Sequence, residues 1–335
     1  MKTVVLLIGL TLFFLAMSCS PVSVKPGYCL AKENEEIESS LRQDIHALNY
    51  NIIDVMQKGN PDEFLGYFAS GLSDEQGLRK QIINNFPETA GLMAEKEFEQ
   101  YQDYHCVCGG GGNLPCIILP KTDYDFQISI QRVNDEIFLS LLDTRELNQL
   151  LLSIIYVKQD DNWKVYQVHV GSFKIAEKNA VQWYEEAFPY YSQGYLIPAI
   201  FRLQMANSCL NPAPFLKYQK EGEIVALTEK VKIEAKGKYS FPIQLSDIES
   251  NPVIYNIKPQ FVQQDIIPVV WYITSIKLED VNSLKGEANL MSPIVQQMFP
   301  GITEGTKYIV FKAFSEPPTD PNKIYTSYGT VVEVN

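Results

Sequence analysis

Apolar residues recur at helical spacing near the start of the chain, over residues 36–58. They share one face of a helix at steps of three or four residues: Ile37, Leu41, Ile45, Leu48, Ile52 and Val55. A Gly-Asn-Pro sequence at residues 59–61 ends this helix, and a short second helix is expected over residues 62–68. Further helix is predicted over residues 74–104, with a break at the Phe-Pro step of residues 86–87, because a residue before proline avoids helical geometry.

The pattern then changes to the two-residue period of β-strands. Residues 124–130 alternate apolar and polar side chains, which is typical of a strand with one buried face. Residues 137–142 form a second strand, and the apolar run 150–157 suits a strand buried on both faces. A polar turn at residues 158–162 leads into a return strand over residues 163–170. The pattern therefore predicts a meander of strands packed against the preceding helices.

A long helix, a short helix after a Gly-Asn turn, and a meander ending in a hairpin resemble the NTF2-like (SnoaL-like) superfamily. The matching residues are 55–68 at the front and 155–157 with 160–165 at the back, where an apolar strand, an acidic turn and Trp-Lys-Val follow one another. The resemblance covers residues 36–173, although the segment between Cys106 and Pro120 has no counterpart in the family pattern. It implies a cone of curved antiparallel sheet and long helix, whose cavity holds a ligand, an enzyme site or only side chains.

A helical pattern returns over residues 174–216 and predicts a helical hairpin. Its spacing resembles a single TPR unit, on these residues: Trp183, Glu186, Ala187, Tyr190, Ala199, Leu203 and Pro212. Glu186 replaces an apolar residue of that motif, and Pro189 falls inside its first helix. Because a solenoid needs about three repeats and no second copy occurs, the hairpin is expected to brace the domains on either side of it.

Residues 217–335 are predicted to form a separate C-terminal α+β domain. Strands are expected over residues 224–232, 239–243 and 266–278, then a helix over 284–299 and a final hairpin of strands 307–314 and 325–334. The fold class of the whole chain is therefore expected to be α+β.

The N-terminus has the pattern of an export signal. An apolar run over residues 4–16 follows Lys2 and is too short to span a bilayer. The sequence Leu-Ala-Met-Ser-Cys at residues 15–19 resembles the lipobox of bacterial lipoproteins, whose cysteine is lipidated and becomes the first mature residue. We therefore expect a signal peptide at residues 1–18 and a lipid on Cys19. The competing interpretation is an ordinary secretory signal that leaves this cysteine free.

The lipidated tether is predicted to span residues 19–35. Ser20 is not the acidic residue type that retains lipoproteins at the inner membrane in some bacteria, so the outer membrane is the favoured location, on its periplasmic or outer face. With 40 acidic and 28 basic residues the formal charge is −12, which disfavours binding to nucleic acid or electrostatic docking to anionic lipid. Membrane attachment would depend on the lipid itself.

Catalytic candidates are few. Enzymes of the NTF2-like superfamily place Asp, His or Tyr in the cone, which makes His169, Asp125 and His46 weak candidates for a general base and its partner. A histidine that is solvent-facing or hydrogen-bonded within the fold competes with this interpretation. No nucleophile-elbow, zinc-protease, phosphate-loop or EF-hand motif occurs in the sequence.

The cysteines fit an exported protein. The chain has 6, so lipidation of Cys19 leaves an odd number, and the pairing cannot be deduced from sequence. A disulfide is expected between Cys116 and either Cys106 or Cys108. A zinc site made from these thiols and His105 is disfavoured, because the spacing is unusual for zinc and oxidation competes.

These features favour a binding protein without a cofactor over an enzyme. The expected ligand is a small molecule, a peptide or another envelope protein. One alternative is an NTF2-like enzyme of the isomerase, dehydratase or hydrolase type, using a histidine and a carboxylate in the cavity. Another is an assembly lipoprotein that docks through the helical hairpin.

Overall fold

The computed structural model describes residues 28–73, 76–110, 114–262, 265–320 and 322–334. The predicted signal peptide, the predicted lipidation site Cys19 and the first part of the predicted tether lie outside these ranges. Within them the fold is mixed α+β, as the sequence predicts. No helix in the described ranges is long and apolar enough to cross a membrane.

Helices and strands follow one another in groups along the chain. The strands are β1 (Tyr28–Glu33), β2 (Phe98–Gly109), β3 (Cys116–Ile118), β4 (Phe126–Ile130), β5 (Glu136–Thr144), β6 (Gln149–Gln159), β7 (Asn162–Lys174), β8 (Leu216–Tyr218), β9 (Ile243–Gln244), β10 (Val253–Val262), β11 (Asp265–Ile273), β12 (Tyr308–Phe314) and β13 (Ser327–Glu333). The α-helices are α1 (Ser39–Gln57), α2 (Pro61–Leu65), α3 (Ser70–Ser73), α4 (Gln76–Met93), α5 (Ala180–Ser192), α6 (Leu196–Ser208), α7 (Glu221–Lys238) and α8 (Val281–Met298).

The first sheet is antiparallel and five-stranded, in the order β1-β2-β5-β6-β7. Helices α1, α2 and α4 pack against one of its faces and form the N-terminal core. The largest side chains there are at most 1% exposed: Ile45, Ile52, Met56, Met93, Phe138 and Tyr156. Ile45, Ile52 and Val55 of the α1 stripe are buried as their spacing predicts, and Leu41 and Leu48 are partly buried at its edge.

Two predictions near this core are wrong. Helix was expected to continue to residue 104, but α4 ends at Met93 and residues 98–109 form β2, a central strand paired on both sides. Helix α4 also continues through Pro87 without the expected break. Phe86 is 4% exposed, and its ring centroid lies 5.2 Å from that of Phe64. This packing outweighs the local effect of the proline.

The predicted tether is also too long. Residues 28–33 form β1, which pairs with β2 in a register that sets Cys29 opposite Cys108. These two cysteines are joined by a disulfide. Residues 28–33 therefore belong to the first sheet, and the predicted boundary of the tether at residue 35 is wrong.

A middle core lies on the other face of the first sheet. A three-stranded sheet, β3-β4-β8, and the antiparallel helices α5 and α6 cover it. The residues of this core come from the first sheet, the three-stranded sheet and the two helices: Tyr104, Cys106, Leu139, Ile155, Ile128, Trp183 and Ala206. Helix α5 begins at a capping box, in which the side chains of Asn179 and Gln182 each accept from the other's backbone N–H.

The C-terminal region contains a mixed sheet in the order β13-β12-β11-β10-β9, with α8 connecting the parallel pair β11 and β12. The final hairpin and the helix near 284–299 are confirmed as β12–β13 and α8. Residues 224–232 were predicted to form a strand. This prediction is wrong, because these residues belong to α7. Its buried residues recur every three or four positions, at Ile224, Thr228, Val231 and Ala235, which is a helical spacing.

Candidate functional site

A cavity of about 390 Å³ opens between helices α2 to α4 and the edge strand β7. Its floor is apolar and is formed by Met56, Phe64, Phe68, Leu72, Ile82, Phe86, Val168 and Val170. Polar, uncharged groups complete the lining: Gln81, Asn85, Thr89, Tyr166, Gln167 and His169. The lining contains no Asp, Glu, Lys or Arg among the residues that the structure describes. We call this cavity the β7 groove.

Local sequence explains how the aromatic floor is positioned. The Asn60 side chain accepts a hydrogen bond from the backbone of Glu63 and caps α2, and Pro61 occupies the first turn, where its missing N–H costs nothing. Phe64 then packs edge-on against Phe68, with ring centroids 5.1 Å apart. Phe68 forms an isolated bridge with Val165, which fixes the end of this segment against β7.

His169 borders the groove on the edge strand, but its side chain lies on the opposite face of the sheet from helices α2 to α4. It pairs with Ser153 in the β6–β7 ladder, and its ring lies edge-on to Phe215, with centroids 5.7 Å apart. Burial lowers the pKa of His169 below its ordinary value. The imidazole is therefore neutral at pH 7, and it offers one hydrogen-bond donor and one acceptor.

Asp125 does not join His169. Its carboxylate accepts hydrogen bonds from the backbone N–H and the hydroxyl of Thr122, at 2.8 and 3.0 Å, in the turn before β4. Strand β4 belongs to the three-stranded sheet. The Asp125 carboxylate stabilises the turn that precedes this strand. These two candidates are therefore not brought together as a base and its partner.

His46 does have a carboxylate partner, and sequence reasoning missed it. Its Nε2 lies 2.7 Å from Oδ2 of Asp103 on β2. The other oxygen, Oδ1, accepts hydrogen bonds from Ser140 and Gln100 at 2.9 and 2.8 Å. Asn49 donates to Ser140, and Tyr156 donates to Asn49. Asp103 was missed because residues 98–104 were predicted to be helical, which hid the strand that aims this side chain at α1.

This polar network is closed. Ser140 donates to Asp103 and not to His46, so the order of groups differs from a nucleophilic triad, in which the histidine lies between the other two. Burial is the main effect on Asp103 and raises its pKa, while the hydrogen bonds from His46 and Ser140 act in the opposite direction. The network fills the space between α1 and the sheet with satisfied side chains, and none of its members lines the β7 groove.

The structure shows how two of the cysteines are paired. Cys108 is bonded to Cys29, so its predicted pairing with Cys116 is wrong. His105 lies on the opposite face of β2 from its neighbour Cys106, and its ring packs against Phe138 and Trp163. The thiols and the imidazole of the hypothetical zinc site therefore do not converge. No group of three or more His, Cys, Asp or Glu suited to a metal occurs in the described ranges.

The helical hairpin offers little free apolar surface. Ala187, Leu196 and Phe201 are buried in the C-terminal core, and Trp183 is buried in the middle core. Of the described large apolar side chains between residues 176 and 212, only Phe188 is about half exposed. The packing places the hairpin between the middle core and the C-terminal core.

No protein-family model, curated protein or solved structure matches this chain. Function is therefore inferred from the geometry of the chain itself.

Proposed function

We propose that this protein is an exported, lipid-anchored envelope protein that binds a small, uncharged, amphipathic molecule in the β7 groove. The single observation that carries the proposal is the groove itself, an apolar floor bordered by polar, uncharged residues. Its volume of about 390 Å³ falls within the usual range for small-molecule sites. Such sites combine an apolar lining with a few polar groups that orient the ligand.

The lining argues for an uncharged ligand. A charged group would lose its hydration in the groove without meeting an opposite charge, which costs several kcal/mol. Gln81 and Asn85 each offer a donor and an acceptor to a carbonyl or hydroxyl group. The apolar part of the ligand would lie against Phe64, Phe68 and the other floor residues.

The proposal also includes the family of the fold and the cellular location of the protein. The first region, residues 36–173, is proposed to be an NTF2-like cone in which side chains fill the deep interior and leave the groove at the edge strand. Helices α5 and α6 are proposed to be a TPR-like brace. The lipobox-like sequence ending at Cys19 supports an anchor, with the outer membrane as the favoured location.

Binding is tested with a neutral apolar dye, N-phenyl-1-naphthylamine, whose fluorescence rises in apolar sites. Two adjacent asparagines provide a matched pair: Asn85 lines the groove, whereas Asn84 is exposed on the same helix and does not. Asn85→Trp should obstruct the groove and weaken dye binding about tenfold or more, equivalent to at least about 1.4 kcal/mol. Asn84→Trp should leave it within about twofold of the wild type. Absence of saturable dye binding, or equal effects of the two variants, would refute the groove as a site.

The anchor is tested separately. Cys19→Ala should move the protein from the detergent phase to the aqueous phase in Triton X-114 partitioning. Persistence of the variant in the detergent phase would contradict the lipid anchor without bearing on the groove.

A further inference from the structure

Two thiols that the Cys29–Cys108 disulfide does not use lie together in the middle core. Cys106 on β2 is fully buried, and Cys116 on β3 is 1% exposed. Each thiol is the main influence on the pKa of the other, raising that of Cys106 and lowering that of Cys116, so the two side chains are in contact.

The topology holds this pair in place from both sides. Cys106 is fixed by the ladders of β2 with β1 and β5, where it lies opposite Ala31 and Ile137. Cys116 is fixed opposite Ile130 at the start of the β3–β4 hairpin. The two sulfurs meet where the first sheet and the three-stranded sheet pack together, so their contact follows from the architecture of both sheets.

We propose that Cys106 and Cys116 are the site of a second disulfide, which links the first sheet to the three-stranded sheet in the exported protein. This inference goes beyond ligand binding and does not depend on the groove, but it rests on the proposed export of the chain to an oxidising compartment. It leaves Cys209, which is fully buried at the end of α6, as the one described cysteine with a free thiol. The five cysteines other than Cys19 then form two bridges and leave one thiol.

The oxidation is balanced by a disulfide of another molecule, such as oxidised glutathione or a thiol–disulfide oxidase. The Cys116 thiolate attacks one sulfur of that disulfide, forming a mixed disulfide and expelling one thiolate. Cys106 then loses its proton and attacks the Cys116 sulfur, which forms the Cys106–Cys116 bond and expels the second thiolate. The two protein thiols lose two electrons and two protons, and the external disulfide is reduced to two thiols. Because both sulfurs are buried in the folded chain, the exchange takes place during folding.

The test is a thiol count on the full exported chain carrying Cys19→Ala, so that lipidation does not affect the number. The protein is purified without reductant, denatured and labelled with a maleimide that adds a fixed mass per thiol. One label, on Cys209, is expected before reduction, and five are expected after it. Three labels before reduction would overturn the proposal, because Cys106 and Cys116 would then both be free.

A second set of variants fixes the pairing. With Cys29→Ser and Cys108→Ser added, the remaining thiols are those of Cys106, Cys116 and Cys209, and one label is again expected. Adding Cys106→Ser to that background should raise the count to two, because Cys116 loses its partner. Three labels in the chain lacking only Cys29 and Cys108 would overturn the assignment, whatever the first count shows.

Discussion

The Nε2 atom of His46 lies 2.7 Å from the Oδ2 atom of Asp103, although the residues are 57 positions apart in the chain. His46 belongs to α1 and keeps 30% of its side chain exposed, whereas the side chain of Asp103 is 2% exposed on β2. The contact therefore connects the long helix to the sheet at the rim of the N-terminal core. Because every member of this network is hydrogen-bonded within the fold, the contact is structural. Its loss should therefore lower stability and leave binding in the β7 groove unchanged.

His46→Ala should destabilise the fold without impairing dye binding in the β7 groove. The buried Asp103 carboxylate would lose its hydrogen bond to the imidazole, and hydrogen bonds to charged groups contribute about 1.5–3 kcal/mol. Urea denaturation measures the loss. Gln43→Ala, an exposed change on the same helix, should stay within about 0.5 kcal/mol of wild type. Loss of dye binding in folded His46→Ala would instead connect this network to the groove.

Acidification should destabilise the protein through His169. Burial lowers the pKa of this imidazole in the folded state below the ordinary value of 6.5. The unfolded chain therefore takes up the proton first, and the stability that His169 contributes is present above pH 6.5 and lost as pH falls through the lower, folded value. Asp103, whose pKa is raised by burial, acts in the opposite sense, losing its contribution as pH rises. Melting temperatures measured between pH 8 and pH 5 should fall less steeply for His169→Gln than for wild type, and identical slopes would count against the effect.

Two glycines should respond in opposite directions to alanine. A Cβ on Gly171 of β7 would lie 2.3 Å from the backbone oxygen of Pro212, so Gly171→Ala should cost about 1–3 kcal/mol through overpacking. A Cβ on Gly237, near the end of α7, meets nothing within 4 Å. Gly237→Ala should therefore stabilise the helix by about 0.5–1 kcal/mol. Thermal denaturation of the two variants measures both effects. A loss of stability in both would show that the protein tolerates no alanine at either glycine, and would contradict the packing argument.

Glu287 on α8 is 3% exposed, and its Oε1 accepts hydrogen bonds from the hydroxyls of Ser250 and Thr274. Glu287→Ala removes this shared acceptor and should cost about 1–3 kcal/mol for each hydroxyl left unpaired. Glu287→Gln keeps an acceptor oxygen in place and should retain most of the stability. The exposed Glu279→Ala serves as the control, with a change within about 0.5 kcal/mol. Equal losses for the alanine and glutamine variants would show that charge, and not the acceptor, matters here.

Much of the fold could be predicted from the spacing of apolar residues. The pattern placed α1, the strands from β4 to β7, the helical hairpin and the final hairpin close to their observed bounds. It failed at β2, where His105, Asp103 and the cysteines alternate too irregularly to outweigh the helical residues before them. It also failed at α7, where residues with high strand propensity occupy a helix whose buried face follows a period of three to four.

The candidate site was harder to predict than the fold. His169 was placed correctly on the last strand of the meander, but its surroundings depend on Phe215, which comes from after α6. The groove is built from α4 and from an edge strand that are far apart in the sequence. Contacts of this kind are set by how the elements pack, and a single sequence carries little information about them.

Helices α5 and α6 contribute to two cores at once, so the chain cannot be cut into two independently folding parts near its middle. Trp183 and Ala206 complete the middle core, while Ala187, Phe201 and Leu203 complete the C-terminal core. A fragment that ends before α5 would expose the apolar face of the first sheet, and one that begins after α6 would expose that of the second. Neither half is a self-sufficient module. Gene fusions, insertions and recombination events should therefore be tolerated at the ends of the described chain far better than near its middle.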